Sequence, residues 1–206
     1  MINILKIFNI YKNTIKTLNN FFTPFIIYFI CIIVLLNISV MKDLPISLNQ
    51  NKTKNLIIEK CLSNEIPDKN IVESMIKLSN ELHCDLYLLF GIIKTSSNFN
   101  PELITEVADK KYYGLFQLDP TQHYSYRPKS LLKTELNLQL GINDFKKKLT
   151  LSNGNEIKAL ALLKSSNTNV NNKYGKDELN FIESIYTERN RFKQIVDNFI
   201  KQNYDL

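Results

Sequence analysis

The sequence predicts an all-α domain set behind one N-terminal apolar segment. Three observations predict it. Residues 21–40 contain no charged side chain. Beyond residue 68, apolar residues recur at spacings of three and four, the period of one helix face. Asp68 and Asp85 stand where two such stripes begin, in the position of helix caps.

The 206 residues suffice for one ordinary domain plus an anchor. Residues 1–20 are basic, with Lys6, Lys12 and Lys16 and no acid. Phe21 to Val40 follow (FFTPFIIYFICIIVLLNISV). At about 1.5 Å per residue such a helix spans about 30 Å, the thickness of a hydrocarbon core. The lysines before it predict a cytoplasmic N-terminus and a domain outside the cytoplasm. A cleaved signal peptide is the competing reading. The run is long for a signal core, and Asn37-Ile38-Ser39 is a poor cleavage site, so the expectation is a retained single-pass anchor.

Residues 41–53 are polar and aperiodic and read as a linker to a domain over 54–203. Within it, Ile71, Met75, Leu78 and Leu82 form one helical face after Asp68. The stretch after Asp85, LYLLFGIIKTSSN, is apolar nearly all round, which predicts a buried helix ending before Asn100-Pro101. Between Glu106 and Pro128 the period breaks into an aromatic-rich loop or short strands. Leu138, Ile142, Phe145 and Leu149 then give a second stripe, with a turn at Asn153-Gly154. A short apolar helix over 156–163 and a long one over 177–203 complete five or six helices.

Of the formal charge of +6, three units lie in residues 1–40, which leaves +3 for the rest. No basic cluster interleaved with aromatics indicates a nucleic-acid partner. An oxidising compartment permits a bridge between Cys61 and Cys84, but two buried thiols are the plainer expectation. His83 and His123 read as exposed or capping residues. With so few ligands at such spacing, neither a metal site nor a cofactor is expected.

The stretch Tyr112-Tyr113-Gly114-Leu115-Phe116-Gln117-Leu118 carries the most chemistry. Aromatic rings around a glycine, followed by an amide, suit the wall of a carbohydrate cleft. A packed hairpin with Gln117 satisfying backbone groups is the other reading.

Four segments in order, GIIKTSSNFNP, GLFQLDPTQ, NLQLGINDFKKKL and ALALLKSSNTNV, resemble the motifs of the lytic murein transglycosylases of the soluble-lytic-transglycosylase and goose-lysozyme group. The resemblance covers about residues 70–200 and implies a lysozyme-like domain. It also implies peptidoglycan glycan strands as substrate. In that family a glutamic acid protonates the bond between MurNAc and GlcNAc. Its carboxylate then helps the MurNAc 6-hydroxyl close on C1, which demands a carboxyl held protonated near neutral pH.

Ser96 stands at the position of that glutamate. The family's Tyr-Asn pair falls on Leu163 and Lys164, and the Gly-Ala before its G-L-M-Q motif is replaced near Lys111 and Tyr112. Ser97, Phe99, Asn100, Pro101, Gly114, Leu115, Gln117, Pro120, Asn137 and Gly141 are kept. The resemblance therefore implies a kept fold with a dismantled centre: a glycan-binding groove with Ser96, Ser97, Asn98, Tyr112, Tyr113 and Gln117 along it. One alternative is an active enzyme with a displaced acid at Glu102, Glu106 or Asp109. The other is an envelope protein that docks a protein partner, its cleft filled by side chains such as Leu163.

Overall fold

A computed structural model describes residues 52–165 and 174–204. The apolar segment over 21–40 and the linker lie outside these residues, apart from the linker's last two. Among the described residues no helix is long and apolar enough to cross a membrane. The chain divides into two units after Lys54, and the second begins at Asn55. The described residues are mainly helical, 67% helix and 6% strand, so the all-α expectation holds with one small hairpin added.

A helix through residues 55–62 (α1) buries Ile58, Cys61 and Leu62. Helix α2, Lys69–Leu82, starts where Asp68 accepts the Asn70 N–H at 2.9 Å. It buries Ile71, Val72, Met75, Ile76 and Leu78, and ends at His83 in left-handed conformation (φ 53°). The exposed, capping role expected of His83 is the one found.

Helix α3, Leu86–Ser97, is capped by Asp85, whose carboxylate accepts the Tyr87 and Leu88 N–H groups at 2.9 and 3.1 Å. Leu88, Leu89, Phe90, Ile92 and Ile93 are all but inaccessible, as a helix apolar all round requires. The helix ends before Asn100-Pro101 as expected, but the proline is not what ends it. Asn98 and Phe99 both take positive φ (51° and 60°), and the chain has left the helix before the proline acts. Burial holds Phe99 there, its ring edge-on to Phe90 and Phe192 at 6.3 and 5.8 Å between centroids.

Strands β1, Ile104–Val107, and β2, Lys110–Tyr113, pair antiparallel with Ile104 opposite Tyr113. Their two-residue turn, Ala108-Asp109, has positive φ at both positions (48° and 62°), the form that matches strand twist. The backbone doubles back at Gly114 (φ 73°), so that Tyr113 and Leu118 exchange both backbone hydrogen bonds at 3.0 Å. A 3-10 turn, Pro128–Leu132, leads into α4, Thr134–Leu151.

Helix α4 buries Leu138, Ile142 and Phe145, and Gly141 lies flat under the Phe116 ring. After the Asn153-Gly154 turn come α5, Glu156–Lys164, and α6, Lys176–Tyr204. The central helix α3 packs along α6 and also touches α2. Gly91 makes the α3–α6 approach possible: a Cβ there would stand 2.5 Å from the Ile185 carbonyl oxygen. Arg189 of α6 ties three elements together. Its guanidinium pairs with Asp85 and, at 3.5 Å, with Glu156, which also accepts the Tyr186 hydroxyl at 3.0 Å.

Candidate functional site

The candidate groove begins with what Asn137 does. It is fully buried on α4, and a buried amide must find partners for its donors and acceptor. Its Oδ1 accepts the Phe116 N–H at 2.8 Å. Its Nδ2 donates to the Tyr113 and Leu131 carbonyls at 2.8 and 2.6 Å. One side chain thus fixes the loop after β2 to α4 and to the 3-10 turn. Gly114 leaves room for that amide, since a Cβ there would sit 2.4 Å from Nδ2.

The loop so held forms one wall of a groove made of two adjoining cavities of about 390 and 510 Å³. They share Tyr112, Phe116, Gln117, Leu163 and Lys164. The first is closed at its base by Thr95 and Ser96 at the end of α3, and flanked by Thr105 and Val107 of β1 and Phe181 of α6. The second runs on past Asp119 and Gln122 to Asp144, Lys147 and Lys148 of α4.

Of the residues expected along the site, Ser96, Tyr112 and Gln117 line the first cavity. Ser97, Asn98 and Tyr113 are not among its lining residues. The Ser97 hydroxyl is buried and donates to the Ile93 carbonyl at 3.1 Å within its own helix. Asn98 is exposed at the helix end and accepts from the Lys94 ammonium. Tyr113 packs half-buried against the core. Gln117 is mostly committed to the protein: its Nε2 donates to the Gly114 and Leu103 carbonyls at 2.7 and 3.2 Å, and its Oε1 accepts from Thr105. It braces the wall.

Among the described residues, those lining the Ser96 cavity include no carboxylate. Glu106 pairs at 3.8 Å with Lys111 out on the hairpin, where both side chains are more than half exposed. Asp109 is at the exposed hairpin turn, and Glu102 is exposed one residue after Pro101. What the cavity holds instead is one ammonium, that of Lys164, 5.3 Å from the centre of the Phe181 ring.

Two acids line the second cavity, and both are engaged. Asp119 Oδ1 accepts the Thr121 N–H and hydroxyl at 2.8 and 2.7 Å, an Asx turn that the run Asp119-Pro120-Thr121 foreshadows. Asp144 Oδ2 meets His123 Nε2 at 2.9 Å, with both side chains largely covered. This corrects the expectation for His123, which neither caps a helix nor stands free. The partners are 21 positions apart in sequence, and nothing local announces the pair.

Both Cys61 and Cys84 are free thiols, and burial pushes the pKa of each up. Thr95 Oγ1, beside Ser96, is buried with no hydrogen-bond partner among the described residues.

Chemically, the first cavity offers ring and aliphatic faces, hydroxyls and one cation. Such a surface holds a polar ligand with apolar faces. The Ser96 hydroxyl supplies no proton near neutral pH. Compared with family models, with curated proteins and with solved structures, the chain has no match.

Proposed function

We propose that this chain is a membrane-anchored, lytic-transglycosylase-like protein of the cell envelope whose groove grips peptidoglycan glycan strands without cutting them. The single observation behind it is the Ser96 cavity, whose wall is built and whose acid is missing. The kept positions of the resemblance act as framework: Asn137 pins the wall, Gly114 and Gly141 make room for it, and Phe99 locks the end of α3. The changed positions, Ser96, Leu163 and Lys164, face the cavity.

The two alternatives fit less well. A displaced acid must reach the Ser96 cavity, and Glu102, Glu106 and Asp109 do not line it. A cleft filled by apolar side chains would suit docking of a protein partner alone, yet beside Leu163 about 390 Å³ stays open.

Co-sedimentation of the full chain with insoluble peptidoglycan tests the reading. The natural protein is expected in the pellet. Tyr112→Ala, which removes a ring shared by both cavities, is expected to weaken retention about tenfold, the equivalent of about 1.4 kcal/mol. Equal retention of the variant, or none of the natural chain, refutes glycan binding in this groove.

A further inference from the structure

We infer that the groove discriminates by charge, holding glycan strands that bear a carboxylate in preference to neutral ones, with Lys164 as the discriminating group. The inference rests on the glycan-binding reading and names the ligand's chemistry. A cavity that carried a catalytic acid would be anionic or neutral at its centre. Here the described residues lining the Ser96 cavity include no carboxylate, and the one charged side chain among them is Lys164.

Three features make that ammonium a recognition group. It lies over the Phe181 ring, 5.3 Å from the centroid, so an aromatic face positions it at the cavity edge. No carboxylate among the described residues pairs with it, so its three donors are not claimed by an ion pair. It also stands where the two cavities join, so a strand lying along the groove passes it.

The neighbouring carboxylates do not cancel this. Asp144 is paired with His123 at 2.9 Å and lies 4.0 Å from Lys147, and Asp119 is turned onto Thr121. Tyr112 and Phe116 supply the faces on which sugar rings rest, and Lys164 supplies the partner for a carboxylate on the ring or on a substituent of it.

The test compares two probes with one backbone, chitohexaose and its O-carboxymethylated form, titrated into the full chain by calorimetry at low and at physiological salt. The carboxymethylated probe is expected to bind about five- to tenfold tighter at low salt, with the margin shrinking as salt rises. Lys164→Met keeps the length of the side chain and is expected to bind both probes alike, at the affinity of the natural chain for chitohexaose. Lys164→Arg is expected to restore the preference.

Equal binding of both probes by the natural chain overturns the charge inference and leaves glycan binding standing. A preference that survives Lys164→Met overturns it as well. Tight binding of poly-aspartate in place of either sugar marks plain charge attraction and overturns it too. Binding of neither probe removes the inference together with the glycan-binding reading.

Discussion

Replacing Asn137 with alanine tests whether one buried amide holds the groove wall. The change removes three hydrogen bonds of 2.8, 2.8 and 2.6 Å; the Phe116 N–H and the Leu131 carbonyl lose this partner, while the Tyr113 carbonyl keeps the Leu118 N–H at 3.0 Å. A buried polar group left unpaired costs about 1–3 kcal/mol. For two such groups the sum reaches about 6 kcal/mol as an upper bound, if no water enters. Tyr113 is only half-buried and the Phe116 side chain borders the open groove, so water reaches part of the site and relieves some of that cost. We expect a net loss of about 3–4 kcal/mol, a large fraction of the ~5–15 kcal/mol that holds a domain together. For a domain of this size that lowers Tm by about 6–16 °C. Circular dichroism melts measure it, with peptidoglycan retention measured well below the new Tm. Retention should fall as well, because Phe116 and Gln117 lose their anchor. Asn137→Asp keeps the acceptor for Phe116 but turns the donor into an acceptor facing two carbonyls. A carboxyl so placed is held above its ordinary pKa in the fold, so its deficit should narrow as pH falls and the group takes up a proton. A Tm drop under about 2 °C for Asn137→Ala would refute the reasoning, since the loop would then be held by something other than the amide.

Three further outcomes are expected. Gly141→Ala places a Cβ 2.1 Å from Phe116 Cγ, so the ring must move into the groove; we expect a loss of about 1–3 kcal/mol in melts and weaker strand retention. Tyr186 is pushed up to about 12 by burial and by the Glu156 carboxylate that accepts its hydroxyl, and Tyr87 to about 12 by burial and by Asp197. Both phenols sit above the ordinary value of about 10, so their contribution is intact below pH 10 and is lost as pH rises towards 12; alkaline denaturation should be steep there and shallower in Tyr186→Phe. Ser96→Glu alone is expected to give no cleavage of glycan, because Lys164 lines the same cavity of about 390 Å³ and favours the ionised carboxylate. Across about 9 Å, the width of a sphere of that volume, the attraction is about 0.5–2 kcal/mol, or up to about 1.5 pKa units, in the direction opposite to that a general acid needs. Adding Lys164→Asn should raise the carboxyl's pKa, as carboxyl titration by NMR would show.

Much of the helical frame was legible because its signals are local. Asp68 and Asp85 cap the helices they were expected to cap, and Leu138, Ile142 and Phe145 are buried as their spacing requires. The Phe99 turn was not legible. Its left-handed backbone is held by Phe90 and Phe192, and Phe192 is 93 positions away on α6. The hairpin was expected only as one of two readings, a loop or short strands, since Lys110 and Lys111 break any alternation and Ala108-Asp109 is not a customary turn pair. In the groove, Ser96, Leu163 and Lys164 line one cavity, although 67 and 68 positions separate the first from the other two. Gln117 shows what a motif hides: its type suits a ligand, yet most of its hydrogen bonds brace the wall. The His123–Asp144 pair depends on a loop and a helix meeting, which no spacing encodes.

The central claim is a groove that binds glycan and has lost its acid, and product analysis tests it most directly. Purified peptidoglycan is incubated with the full chain, and the soluble fraction is read by mass spectrometry while the pellet is assayed for bound protein. The expected result is protein in the pellet and no fragment ending in 1,6-anhydro-MurNAc or a new reducing end. Either kind of fragment, released by the natural chain, would contradict the claim and show that an acid outside the Ser96 cavity lining performs the cleavage.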